Sequence, residues 1–278
     1  MAEQRAAPVT STADNPAAGG PPVAAGTSVL GWLARYWLAI LAHVAFLLLW
    51  WIASKYVPRF ILPSPVETFE TLWMPRYDWP RHILVTAAEV FGGFSLAVIV
   101  GVGLAVAFNW SPSTDRAGMP LLVTLNMIPK VAMAPLFIVW LGYGVGPNMV
   151  IAFTICFFPI VINTSRGLHE VEPDLIDLVR VIKATNWQIF RKIQLPSALP
   201  FIFSGMRVAA VLAVAGAVVG EFIGSDRGLG YIMLSLQATL DTPAMFMSLA
   251  LITLIGVALY GAVTLAERLI VPADARVA

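Results

Sequence analysis

The chain has 278 residues, 59% hydrophobic and 12% charged, with 17 Lys+Arg against 16 Asp+Glu. Soluble domains carry about 25% charged residues, so this composition and a mean hydropathy of +0.81 exclude a soluble enzyme and a disordered protein, and a net charge of +1 excludes a nucleic-acid binder. A single cysteine, Cys156, excludes a disulfide framework and a Cys-rich zinc site, and apolar residues in blocks rather than at period 2 exclude an outer-membrane barrel.

What remains is an all-α polytopic membrane protein. Residues 1–28 are Ala, Pro, Gly, Ser and Thr with a few charges, which predicts a disordered tail. They are not read as a signal peptide, because no short cleavage site follows the first apolar block. The membrane domain is expected over residues 29–272, with a second short tail at 273–278.

A spanning helix needs about 20 mostly apolar residues. Six segments meet that need: 33–54, 83–109, 119–141, 148–165, 201–224 and 245–268. The third is interrupted by Pro120, Pro129, Lys130 and Pro135. With six spans both termini lie on one side. That side holds ten basic residues (Arg5, Arg35, Arg116, Arg166, Arg180, Lys183, Arg191, Lys192, Arg268 and Arg276) against five on the other (Lys55, Arg59, Arg76, Arg81 and Arg227). The excess predicts cytoplasmic termini. The outer loop over 56–82 is rich in Pro and aromatic residues. It reads either as an interfacial belt, with an amphipathic helix over 65–75, or as a contact for another protein.

The cytoplasmic loop between the fourth and fifth spans, residues 166–200, is long against the 2–8 residues typical of bundle connections. Pro173 and Asp174 mark a helix start. Leu175, Leu178, Val179 and Ile182 follow an i, i+3, i+4, i+7 stripe. Thr185 or Asn186 is placed to cap a second short helix from Trp187, with Trp187, Phe190 and Ile193 on its inner face and Pro196 and Pro200 ending it. Such a stripe must be buried, either against the ends of its own spans or in another protein. The rim would then include Lys183, Thr185 and Asn186.

The spacing in this loop resembles the cytoplasmic signature of ABC-importer permease subunits: E-A-A, three residues, G, nine residues, I-x-L-P. Asp177, Leu178 and Val179 stand in the E-A-A place, Lys183 in the G place, and Ile193, Leu195 and Pro196 complete the motif. The stretches FILPSP (60–65), NMIPKVAMAPLFIVWLGYG (126–144) and AVVGEFIGSDRGLGY (217–231) resemble the nitrate, sulfonate and taurine branch of these permeases. The resemblance covers roughly residues 30–270.

It implies a pair of permease copies in the bacterial inner membrane, above a pair of ABC ATPase subunits and served by a periplasmic substrate-binding protein. A short helix around Lys183, Ala184, Thr185, Asn186 and Trp187 would enter a cleft of the ATPase and carry its closure to the spans. The chain contains no G-x-x-x-x-G-K-[ST], so ATP and Mg are expected on the partner and no cofactor on this chain. No catalytic residue is assigned either. Five basic and four acidic residues in the loop make docking a matter of shape and apolar burial.

Four ionisable residues lie within spans, where charge is costly and faces protein or water. Glu89, Lys130, Arg207 and Glu221 are the candidates for a substrate pathway or gate. Lys130 sits between two prolines, where irregular backbone must line a cavity or pack on protein. It would meet an anionic solute or pair with Glu89 or Glu221. Arg207 either contributes there or snorkels to the boundary. Glu221 precedes a Gly-rich loop and suits an outer gate or a binding-protein contact.

Gly205, Ala209, Ala213, Gly216 and Gly220 form a small-residue stripe in the fifth span, fit for a pore lining, an intrachain contact or a seam between copies. His43 is expected to be a satisfied packing residue and Cys156 an inert small hydrophobe.

The sequence reads as the permease of an importer for a small anionic solute of the nitrate, sulfonate or taurine kind. The alternatives are an importer of a neutral or zwitterionic solute such as a vitamin precursor, a stand-alone ion-coupled carrier, and a membrane-embedded enzyme.

Overall fold

A computed structural model describes residues 29–272; the two expected tails, 1–28 and 273–278, lie outside them. Every regular element among the described residues is a helix, and none of them forms a strand. The chain divides into two compact units between Leu49 and Trp50. The first contains most of helix α1 (Val29–Ala53), whose exposed His43 bonds the Ala39 carbonyl oxygen at 2.7 Å through Nδ1.

The second unit begins with the last turn of α1. The loop over 56–82 folds as α2 (Pro65–Glu70), followed by 3-10 turns at Thr71–Trp73 and Pro75–Tyr77. The expected 65–75 helix is therefore shorter. Ser64 and Glu67 close a capping box on α2. The Ser64 backbone N–H donating to Glu67, with the Ser64 hydroxyl and Arg59 beside it, holds the Glu67 carboxyl below the usual glutamate range against a partial burial.

Helices α3 (Trp79–Asn109), α4 (Pro112–Asn126), α5 (Lys130–Leu141) and α6 (Val145–His169) follow. The loop between α6 and the next long helix holds α7 (Pro173–Val181) and α8 (Asn186–Ile189). A π-turn at Phe190–Gln194 leads into α9 (Leu195–Gly224), and α10 (Leu229–Ala238) and α11 (Thr242–Ile270) complete the chain.

By length and apolarity, four continuous helical stretches among the described residues can cross a membrane: 75–109, 145–169, 186–224 and 242–270; α4 and α5 make a fifth if taken together. The third expected span is thus not a straight rod. Its halves meet at 91°. Pro129 cannot donate a backbone hydrogen bond, and α5 has only 12 residues, about 18 Å of rise against a hydrocarbon core of about 30 Å. The described apolar part of the first expected span is Trp37–Ala53.

The core is built on α6, which packs most extensively against α9 and then α3. The small-residue stripe makes this possible. A Cβ at Gly216 would stand 2.7 Å from the Ala152 Cα, one at Gly205 3.0 Å from the Pro159 carbonyl oxygen, and one at Gly220 2.6 Å from Asn148 Oδ1. Of the three uses open to this stripe, the structure gives it the intrachain contact. Cys156 is fully buried in the same core.

Pro196 and Pro200 do not end the loop helix as expected. The chain runs helically from Asn186 to Gly224. The π-turn precedes Pro196, so the α-helical ladder restarts at Leu195 and Pro196 falls in a first turn, where its missing N–H is not needed.

Candidate functional site

The loop between α6 and α9 presents its apolar stripe outward. Leu178 is 63% exposed, Ile182 75% and Trp187 55%. Leu175 and Asp177 are also exposed and Val179 half-buried. The exposed Asp177–Arg180 pair at 3.2 Å adds little stability.

Helix α7 ends in a Schellman turn: Lys183 N–H donates to Arg180 O at 2.9 Å and Ala184 N–H to Val179 O at 3.1 Å. Lys183 lies at the left-handed apex with φ 61. Thr185 then caps α8. Its hydroxyl accepts the Gln188 N–H at 3.3 Å, and the Gln188 side chain accepts the Thr185 N–H at 2.8 Å. Asn186 is exposed at the first position of α8, Ala184 half-buried behind it.

The expected inner face of this second helix needs correction. Ile189 and Phe190 are buried, Ile193 and Leu195 half-buried, and Trp187 and Pro196 exposed. The helix is one turn long, and the π-turn shifts the phase after it, so a spacing of three no longer marks one face.

The four intramembrane ionisable residues do not converge. Glu221 and Glu89 are neighbours in the interior between α3 and α9. Glu221 accepts the Thr86 hydroxyl at 2.5 Å and the backbone N–H of Gly230. Thr86 Oγ1 accepts the Leu229 N–H at 2.8 Å. Two first-turn donors of α10 are thus held by side chains from α3 and α9. His82 Nδ1 accepts the Gly228 N–H at 3.0 Å. Gly228 has φ 110, and a Cβ there would collide with the Glu221 carboxyl.

Glu89 accepts from Asn148 Nδ2 at 2.9 Å. Glu89 Oε2 and Asn148 Oδ1 have no hydrogen-bond partner in the described structure. Lys130 does not pair with either glutamate. Its Nζ donates to the Asn126 carbonyl at 2.8 Å and to the Asn126 side chain, satisfying backbone freed at the α4–α5 break. Arg207 does not simply snorkel: it pairs with Glu267 at 3.4 Å, a carboxylate 5% exposed.

Sequence reasoning passed over Thr86, His82, Asn148 and Glu267. Thr86 and Glu89 are an i, i+3 pair on one helix face, a signal that was present. Nothing local marked Asn148 or Glu267, whose partners are 59 and 60 residues away.

At the other end of the bundle an open pocket of about 790 Å³ is lined by Arg59, Arg76, Tyr77, Ser235 and Asp241 among others. Asp241 accepts from the Tyr77 hydroxyl at 2.7 Å and pairs with Arg76 at 3.1 Å.

Comparison with known proteins places this geometry among transporters. The profile of the family described as binding-protein-dependent transport system inner membrane component matches residues 97–272. The chain is 31% identical over 228 residues to the formylaminopyrimidine transport permease protein ThiX of Halalkalibacterium halodurans, covering 81% of this chain and 91% of that one. It is 36% identical over 217 residues to the riboflavin transport system permease protein RibX of Chloroflexus aurantiacus, covering 77% and 81%. With the putative aliphatic sulfonates transport permease protein SsuC of Bacillus subtilis, it shares 30% identity over 211 residues, covering 75% and 76%. Among solved structures, an inward-facing form of the MetNI methionine ABC transporter aligns with a TM-score of 0.60 and 21% identity, covering 69% of this chain and 95% of that one.

Proposed function

The chain belongs to the binding-protein-dependent transport system inner membrane components, and from that premise we propose that its loop over 166–200 is the coupling element of an ABC importer, seated in a separate ATPase subunit. The observation that carries this reading is the exposed apolar stripe of Leu178, Ile182 and Trp187 on two capped helices. In water such a patch is a docking surface. Asp177, Val179, Lys183 and the motif's Ile193, Leu195 and Pro196 shape and support it.

ATP and Mg are held by the ATPase, and this chain binds no cofactor and performs no covalent chemistry. A second permease copy, a periplasmic binding protein and the lipid bilayer complete the assembly. The chain lies in the bacterial inner membrane with cytoplasmic termini, which is supported by the basic excess on the side of the coupling loop. Nucleotide-driven closure of the ATPase pair shifts the spans between two states.

The test is co-purification. The full chain should retain an ATPase subunit, and removal of residues 175–195 should release it while the remaining spans stay in the membrane. Retention after that deletion would sink the coupling assignment, and a full chain that retains no ATPase would favour the stand-alone carrier.

Two substrate classes are in play. The anionic reading has support from SsuC. The vitamin-precursor reading has support from ThiX and RibX. We favour the second. Stimulation of ATP hydrolysis by binding protein loaded with formylaminopyrimidine or riboflavin, against taurine or bicarbonate, decides between them.

A further inference from the structure

Helix α8 has a covalent route into α9 through the π-turn, but none into α3. Yet α3 carries Thr86, which holds α10 and Glu221 at the far end of the bundle. Something must tie α3 to the coupling segment if both ends are to move together.

The contacts at the near end supply it. Trp110, the C-cap of α3, lies 6.0 Å from the Trp187 ring and 5.6 Å from Phe190, tilted at 52° and 58°. Trp187 stacks on Phe190 at 5.6 Å and 28°. These are the tilted and offset geometries that aromatic pairs prefer. Phe190 is itself buried against Leu168, Ala198 and Ile202, with Val102 and Val106 of α3 alongside. One turn away, Asn109 Nδ2 donates to Gln194 Oε1 at 3.3 Å. Both α9-side partners belong to the π-turn, whose wide bond runs from Leu195 N–H to Phe190 O; such turns concentrate at functional sites.

Beside the rings a hollow of about 250 Å³, lined by Ile176, Arg180 and Asn186 among others, separates α7 and α8 from the end of α3. Asn109, Trp110 and Gln194 themselves line this hollow, and Trp110 and Trp187 stay 56% and 55% exposed, so a few side chains at its rim make the link between α3 and this segment. From Trp110 to Thr86 the helix rises about 36 Å without a proline.

Resting on the coupling reading above, we propose that Trp110 against Trp187 and Phe190, together with the Asn109–Gln194 hydrogen bond, is the joint that makes α3 follow the coupling segment. Movement imposed on α8 by the ATPase then reaches the Thr86–Glu221 latch on α10. Trp110, Asn109 and Gln194 are positioning residues: they touch neither nucleotide nor transported solute.

The test uses the full chain with its ATPase subunit in proteoliposomes. Asp226→Cys, on the exposed loop between Glu221 and α10, is labelled with a membrane-impermeant maleimide; the native Cys156 is buried. In this parent, ATP with vanadate should change the labelling rate by about fivefold or more. Trp110→Ala, and the milder pair Asn109→Ala with Gln194→Ala, should bring that change below about twofold. The ATPase should still co-purify and basal hydrolysis should persist. Trp110→Phe, which keeps a ring, should restore the response.

An undiminished nucleotide response in both Trp110→Ala and the Asn109/Gln194 pair overturns the joint. So does loss of the ATPase from both Trp110→Ala and Trp110→Phe, which would make the rings part of docking alone. A parent that holds its ATPase but shows no nucleotide-dependent labelling also overturns it. A parent that holds no ATPase defeats the coupling reading instead.

Discussion

The backbone N–H of Ala184 donates to the carbonyl of Val179 at 3.1 Å, and with the Lys183 N–H on Arg180 O it fixes the corner between α7 and α8. Closing it requires Lys183 to adopt φ 61. A side chain in the left-handed region costs about 1–2 kcal/mol, which glycine avoids. The signature that this loop resembles has Gly at the same place, and the turn supplies the reason. Lys183→Gly should therefore tighten the corner. The expected outcome is slower hydrogen exchange at the Ala184 amide by about fivefold, equivalent to about 1 kcal/mol, with ATPase retention unchanged. Faster exchange would mean that the lysine side chain stabilises the turn more than its backbone strain weakens it.

Leu178 contacts solvent in the isolated chain, so replacing it should cost the permease little. Surface changes away from caps and cores usually stay within about 0.5 kcal/mol. Leu178→Asp, inside α7 and away from its C-cap Ile182, should leave expression and thermal stability of the permease close to the parent, and lower ATPase co-purification by about tenfold or more. Equal loss of both would show that the stripe belongs to the permease's own packing.

What the sequence disclosed follows the range of the interactions involved. Helical periodicity and capping are local, so α7, the Thr185 cap and the long spans were legible from spacing alone. The π-turn was not, because it depends on how Pro196 is accommodated after α8, and neither a Pro nor a spacing of three encodes that. The Asn126 partner of Lys130 is hidden from the sequence for a related reason. A lysine between prolines signals a charge in need of a partner, but the partner came from its own preceding turn, Asn126, exposed by a 91° bend. Arg207–Glu267 and Glu89–Asn148 join segments about 60 residues apart. Only the packing of α6, α9, α3 and α11 brings them together.

Thr86 serves two partners at once, donating to Glu221 at 2.5 Å and accepting from Leu229 at 2.8 Å, all within the buried interior. Thr86→Val preserves shape but strands the Leu229 N–H. A buried polar group without its partner costs about 1–3 kcal/mol. The effect should fall on the loop before α10, read as faster proteolysis or amide exchange over 225–231, while α3 and α6 keep their protection. Thr86→Ser, which retains the hydroxyl, should behave like the parent. A uniform loss of protection through the bundle would contradict a local latch.

Gly216 distinguishes packing within one chain from packing between copies. Its α-carbon faces α6, where an added Cβ would lie 2.7 Å from the Ala152 Cα and 3.3 Å from its nitrogen. Backbone cannot yield as a side-chain tip can, so Gly216→Val should force α6 and α9 apart, at about 1–3 kcal/mol for an overpacked core. The damage should appear in a single copy: lower thermal stability in detergent whether or not the permease is paired, and no rescue by a wild-type partner. On the open face of α9, Val211 and Val218 line an apolar groove of about 620 Å³ with Ile252, Val257 and Tyr260 of α11. Val211→Trp on that face, at a residue 62% exposed, adds bulk where there is room, so single-copy stability should hold. If Gly216→Val instead left the lone copy intact and disrupted only pairing, the stripe would be an intersubunit seam, and its close approach to α6 would not survive in solution.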